Sequence, residues 1–247
     1  RTRDGRTELH AVETTYVAAV QEPAEEFAKR VLMEGYRRGW QRARQVVVLG
    51  DGAAWNWTHI AAQVPPDVPK KVEIVDFYHT SEHLWTVAKA VLGEGSATVK
   101  TWVETQEGEL LHGGVEHVIE AVEDWWVQTG AERGQLATLG EEKVQDLPEP
   151  RKTIRQTWTF LTNNRARMRY DEYRRQGLFI GSGTVESACN RLIGARLEQS
   201  GMRWSQSGAH QLVQVRAAVI SDRDRWESFW DHRRPPQRHH ACQEQAA

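Results

Sequence analysis

Apolar residues recur along this chain with two different periods, and the switches between them divide the sequence. From Glu25 to Trp40, the residues Phe27, Val31, Leu32 and Tyr36 fall near helical spacing. Arg37 and Arg38 sit in the last turns, where positive charge suits the helix dipole, and Gly39 is placed to end the run. Gln45 to Gly50 is a short apolar run closed by glycine, which predicts a buried strand in a parallel or mixed sheet. Trp55 to Val64 returns to a helical pattern, stopped by Pro65-Pro66. Lys71 to Asp76 predicts a second strand, and a helix is expected from Ser81, with Ser81 as its N-cap.

Strand, helix, strand, helix is the order of an α/β sheet. Both strands run into an acidic residue, Asp51 and Asp76. In such sheets ligands bind beyond the carboxyl ends of the strands. From Ser81 to Tyr173 no strand pattern appears. His117, Ile119, Val122, Trp125 and Trp126 mark one helix, and Ile154, Trp158 and Leu161 another. An all-helical block after two strands reads as an insertion or a second domain. Leu178 to Gly183 breaks the pattern; Thr184 can cap a helix from Val185 to about Gln199, and a further helix is expected over Gln206 to Ile220. The tail from Arg233 is rich in Pro, Arg and His and is expected to be disordered.

Composition narrows the class. Hydrophobic residues make up 39% of the 247 and charged residues 27%, a balance that supports a packed core. No stretch is long and apolar enough to cross a bilayer, and Arg1 to His10 is no signal peptide. Two cysteines, Cys189 and Cys242, make no disulfide framework or CxxC zinc site, so a reducing, cytoplasmic setting is expected. Most of the 11 Trp are assigned to core packing. Net charge is only −2, but residues 1–150 hold 15 basic against 25 acidic residues and residues 151–247 hold 17 against 9. That asymmetry suits a surface for a polyanion, with a plainly solvated basic face as the other reading.

Four constellations can carry chemistry. Gly50-Asp51-Gly52 puts an acid at a strand end, either to hold a metal or to cap the next helix. His79-Thr80-Ser81-Glu82-His83 matches H-x-x-E-H, the inverted zinc-peptidase signature, in which two His ligate zinc and Glu serves as base; the plainer reading is local hydrogen bonding. Gly181-Ser182-Gly183 before a helix could bind phosphate, though it lacks the Lys and spacing of a P-loop. Glu186 falls in the first turn of that helix, as dipole complement or as catalyst. Finally, Arg165, Arg167, Arg169, Arg174 and Arg175 precede the Gly-Ser-Gly turn, and Arg191, Arg196 and Arg203 follow it. Arginines around carboxylates are what a metal-dependent enzyme acting on DNA needs, the metals on the acids and the phosphates on the arginines.

Taken in order, GDGAAWNW, IVDFYHTSEHLW, MRYDEYRRQGLFIGSGTVESACNRLIGARLEQSGMRWS and RWESFW resemble the ISKra-type family of insertion-sequence transposases, from about Thr14 to Trp230. The resemblance implies an α/β, helix-rich fold: an RNase H-like mixed sheet with a large all-helical insertion. It implies partial core over 1–83, helical insertion over 84–175, the rest of the core over 176–232 and a disordered tail over 233–247. Asp51 would be the second acid of a DDE triad and Glu186 its Glu, the two holding Mg²⁺ or Mn²⁺. Asp76 and His79 match a block beside the active site and would support it. The eight arginines would contact DNA, both transposon ends and target, in a homo-oligomeric synaptic complex. The family's first triad Asp lies upstream of the matched region, and Asp4 is not expected to replace it. With no initiator Met, the chain is expected to be the C-terminal part of a longer transposase. An inactive DNA-binding remnant, and a zinc metallopeptidase built on His79, Glu82 and His83, are the alternatives.

Overall fold

The computed structural model describes residues 2–3, 6–7, 11–197, 201–221 and 225–231. Asp4 and the tail from Arg233 lie outside them, as does the side chain of Arg196. The fold is helix-rich α/β. Its chain forms two compact units, residues 31–183 and residues 1–30 with 184–247.

The larger unit is built on two parallel strands, β3 (Val46–Gly50) and β4 (Lys71–Val75), paired from Val46 opposite Lys71 to Gly50 opposite Val75. Two short strands precede them in the chain, β1 (Thr2–Arg3) and β2 (Arg6–Thr7), an antiparallel pair in the smaller unit. Helix α1 (Ala24–Arg38) leads into β3. After β4 come α2 (Phe77–Leu92), α3 (Ala97–Leu111), α4 (Val115–Gln128), the short α5 (Gln135–Thr138), α6 (Arg151–Asn164) and α7 (Tyr170–Arg175). Helix α6 packs against α2 and α4, and α3 lies against α2, α4 and α7.

One core joins strand and helices. Ile74 and Val75 of β4 are fully buried with Leu84, Val103, Leu110, Val118, Val122, Ile154, Leu161 and Tyr170. The helical stretch 84–175 therefore shares its core with the sheet. Trp126 is almost wholly buried and carries the Arg151 guanidinium 5.5 Å over its ring; Trp125 stacks on Trp102 at 4.1 Å between centroids. Trp204, Trp226 and Trp230 depart from the core assignment and are exposed.

Three local expectations are corrected. Strand β3 is half-exposed rather than buried, with Val47 36% accessible, because the helical core closes over β4, where Ile74 and Val75 are fully buried, while Leu49 of β3 is only partly covered by it. The stretch after Trp55 is no regular helix; a π turn (Asn56–Ile60) runs into a 3₁₀ turn (Ala61–Gln63). Helix α2 starts at Phe77, four residues before Ser81. Asp76 caps it, and buried Ser81 instead donates to Glu107.

The smaller unit holds α8 (Gly183–Cys189, of which Gly183 is the last residue of the larger unit), a π turn (Asn190–Gly194), α9 (Ala195–Leu197), α10 (Gln206–Ile220) and α11 (Arg225–Asp231). Its core is slight: Ala188, Leu192 and Ala217, flanked by Tyr16, Ala18, Ile193 and Ile220. Polar ties supplement it. Tyr16 N–H donates to Ser221 Oγ at 2.8 Å, and Arg216 Nε donates to the Leu192 carbonyl at 3.0 Å. Ser205 caps α10 by accepting from Gly208 N–H at 3.1 Å.

Candidate functional site at the carboxyl edge of the sheet

Parallel pairing brings the two strand-end aspartates side by side. Gly50 faces Val75 across the ladder, so Asp51 and Asp76 leave the sheet together, and Asp76 N–H donates to the Gly50 carbonyl at 2.8 Å. Their environments then diverge.

Asp76 is buried and both its oxygens are engaged. Oδ1 accepts from the N–H groups of Tyr78 (2.7 Å) and His79 (3.2 Å), the free donors at the start of α2. Oδ2 accepts from Ser182 N–H at 2.6 Å. Phe77 N–H reaches the Ile180 carbonyl at 2.8 Å, so the Gly-Ser-Gly turn is strapped to the β4–α2 junction. Gly181 lets the turn pack against Tyr78, since a Cβ would come within 2.5 Å of that exposed ring and push it aside. The Ser182 N–H, expected to meet a phosphate, meets an internal carboxylate.

Asp51 is exposed. Its Oδ1 accepts from Ala53 N–H at 3.0 Å and from Asn56 Nδ2 at 2.6 Å, which orient the carboxylate while Oδ2 takes no hydrogen bond among the described residues. The turn around it is held from α6. Buried Asn164 donates to the Gly52 carbonyl at 3.3 Å, and a Cβ on Gly52, whose φ is +93°, would come within 2.6 Å of Phe160. Asn56, Phe160 and Asn164 escaped the sequence reading; only Asn56, five residues beyond Asp51, left a local signal.

The H-x-x-E-H pair lies on α2. The His79 and His83 rings meet edge to face, 5.1 Å between centroids. His79 Nδ1 is 3.2 Å from Glu82 Oε2, and His83 stacks on Phe160 at 3.9 Å. Burial first, then the neighbouring His79, push the His83 imidazole down to about 4. Among the described residues no three His, Cys, Asp or Glu side chains are grouped to hold a metal. The two His thus have no third ligand there, and a zinc-peptidase centre gains no support.

Glu186 lies on α8 in the smaller unit, exposed, so neither unit alone carries both triad candidates. The arginines also differ. Arg167 donates to Glu73 Oε2 at 2.8 Å and lies 4.5 Å over the Trp57 ring. Burial raises the Glu73 carboxyl, but hydrogen bonds from Arg167 and Lys71 outweigh it and hold it below the usual range. Arg175 pairs with Asp171 at 2.8 Å, Arg169 with Glu172 at 3.8 Å, and Arg191 donates to Tyr16 Oη at 2.9 Å. Arg165, Arg174 and Arg203 are exposed without an ion pair among the described residues. Positive charge is densest along α6 and α7: residues 151–175 hold eight basic and two acidic side chains.

No protein-family model, curated protein or solved structure matches the chain. Among the described residues no helix is long and apolar enough to cross a membrane.

Proposed function

We propose that this chain is a catalytic region of a DDE-type insertion-sequence transposase, with an RNase H-like core, that cuts and joins DNA at transposon ends in a homo-oligomeric complex. The motif blocks named above support the reading. The observation that carries it is Asp51: an exposed carboxylate at the carboxyl end of a parallel strand, oriented through one oxygen and open at the other. Asp76 and His79 serve as its frame, Asp76 by fixing the α2 terminus and His79 within the first turn of that helix.

The donors fit Mg²⁺ or Mn²⁺ only in part. Mg²⁺ is commonly held by one or two carboxylates with waters and substrate phosphates, and Asp51 with Glu186 would match that. A two-metal pair, about 3.5–4 Å apart, asks for more acids than these two. Asp76 does not add one, because both its oxygens hold N–H groups. Bound there, the metal would activate water or a 3′-hydroxyl for attack on phosphorus. DNA phosphates would lie on the arginines of 151–175, with Arg165 and Arg174 most open to them.

Mn²⁺-induced relaxation of water protons tests this directly. Weak Mn²⁺ binding by the chain should be cut by Asp51→Asn and by Glu186→Gln, and left intact by His79→Ala. Relaxation unchanged by Asp51→Asn would refute the assignment. Stoichiometric Zn²⁺ lost in a His79→Ala, His83→Ala double variant would replace it with the peptidase reading. Salt-sensitive DNA binding with no carboxylate-dependent Mn²⁺ effect would replace it with a DNA-binding remnant.

A further inference from the structure

A cavity of about 560 Å³ opens beside the Asp51 turn, within the size range of small-ligand sites. Gly52 and Ala54 form one wall, and α6 with the 141–145 segment forms the others. Its lining is chemically mixed in a particular way. Trp57, with the Arg167 guanidinium over its ring, and Phe160, stacked on His83, offer flat surfaces. Gln145, Gln156 and Asn163 bring exposed amides to the rim, each both donor and acceptor, and Thr159 adds a hydroxyl.

Two buried donors on lining residues lack partners: the indole Nε1 of Trp57 and the Nε of Arg155. Arg155 is 7% exposed, its Nη2 donating to the Leu139 carbonyl at 3.0 Å. Both atoms are closed off from solvent, so a ligand in the cavity would meet the ring faces and the rim amides instead. Anion binding alone is a poor fit, because Arg167 is already neutralised by Glu73 and Glu141 sits on the rim.

We infer that this cavity takes a single unpaired nucleobase. Flat faces made of aromatic rings and guanidinium groups stack bases without regard to sequence. Side-chain amides match the donor and acceptor edges of a base, as in the pairing of Asn or Gln with adenine. The base could arrive as a free nucleoside or nucleotide, or on an unpaired stretch of DNA. The inference rests on the cavity alone and stands whether or not Asp51 holds a metal.

Saturation-transfer NMR on the full chain tests it with adenosine, cytidine, AMP, a pentanucleotide of single-stranded DNA and a blunt duplex as probes. Adenosine and the pentanucleotide should bind and displace one another. Trp57→Ala removes one of the flat faces, and a Gln156→Ala, Asn163→Ala pair changes only exposed rim groups. Each should weaken binding about tenfold while circular dichroism stays unchanged. Adenosine or AMP binding at least as tightly as the pentanucleotide supports the proposal with a free nucleotide as source. Preference for the pentanucleotide over both nucleoside and duplex supports it with a DNA strand as source. No transfer to any base-bearing probe at millimolar concentration, or binding indifferent to both variants, would overturn it.

Discussion

Two aspartates leave neighbouring strands at matching positions, yet the chain uses them differently. Asp76 is buried and gives both oxygens to three backbone N–H groups, joining β4, α2 and the Gly-Ser-Gly turn. Asp51 is exposed and gives one oxygen to its own turn, leaving the other open. A carboxylate saturated by internal donors builds structure; one that is oriented but unsaturated is available to a ligand. The same contrast separates Arg167, held between Glu73 and Trp57, from Arg165.

Matched Asp→Asn substitutions probe the contrast with the largest expected effect. At Asp76 the amide supplies only one acceptor oxygen, so an N–H faces an NH₂ group in a buried site. Asp76→Asn should cost about 2–3 kcal/mol, since buried charge-assisted hydrogen bonds are lost. Asp51→Asn keeps the one oxygen in use and should stay within about 0.5 kcal/mol. Urea denaturation of both variants measures this, and equal midpoints would dissolve the distinction.

The Asp51 turn is open at its carboxylate but not loose in its backbone. Gly52→Ala places a Cβ at φ +93° and 2.6 Å from Phe160, a ring already stacked on His83. We expect a loss of about 1–2 kcal/mol in the same assay. A neutral outcome would show that the turn moves freely and that Asp51 is not oriented.

A smaller effect is expected from His83, behind Phe160. Its folded-state pKa of about 4 lies below the ordinary 6.5, so the unfolded chain takes up a proton before the folded one does. The stabilisation is therefore present above about pH 6.5 and is lost as pH falls towards 4. Discounted for its partial exposure, the effect is on the order of 1 kcal/mol. His83→Phe should flatten the stability profile across that window, as thermal unfolding at stepped pH would reveal. An unaltered slope would place the acid sensitivity elsewhere.

The sequence showed both strands and the helix Gln206–Ile220 well because they rest on local periodicity; the helix expected from Val185 with Thr184 as cap instead starts at Gly183 and gives way to a π turn at Asn190–Gly194. The sequence misplaced the start of α2 because a strand-end Asp and a helix cap look alike until the partner is known. The bonds by which Asp76 caps α2 are local, from Tyr78 and His79 N–H; the one that ties it into the fold, from Ser182, spans 106 residues and left no local sign. The frame around Asp51 was hidden for the same reason. Asn164 reaches Gly52 across 112 residues, and no spacing rule joins a helix end to a distant turn. The cavity was equally invisible, since its walls come from three separated segments. By spacing alone Glu186 was readable only as an acid in a first helical turn; its triad role came from the motif resemblance.

The finest test concerns the arginines, where the expected change is a slope. If DNA lies along 151–175, each open arginine that meets a phosphate releases about one counterion, and removing it lowers the salt dependence of binding by about one. Arg165 is exposed without an ion pair among the described residues, so Arg165→Gln should show that full decrement. Arg167 is bonded to Glu73 at 2.8 Å, so binding there would first have to break an existing pair. Arg167→Gln should therefore leave the salt slope nearly unchanged, though the unpaired Glu73 would add repulsion and weaken binding at every salt concentration. Fluorescence anisotropy of a labelled duplex between about 50 and 200 mM salt resolves the two patterns. If both variants lower the slope equally, the Arg167–Glu73 pair opens on DNA and the engaged and open arginines form a single class. If neither does, phosphate contacts lie outside 151–175, and the basic density there is a solvated face.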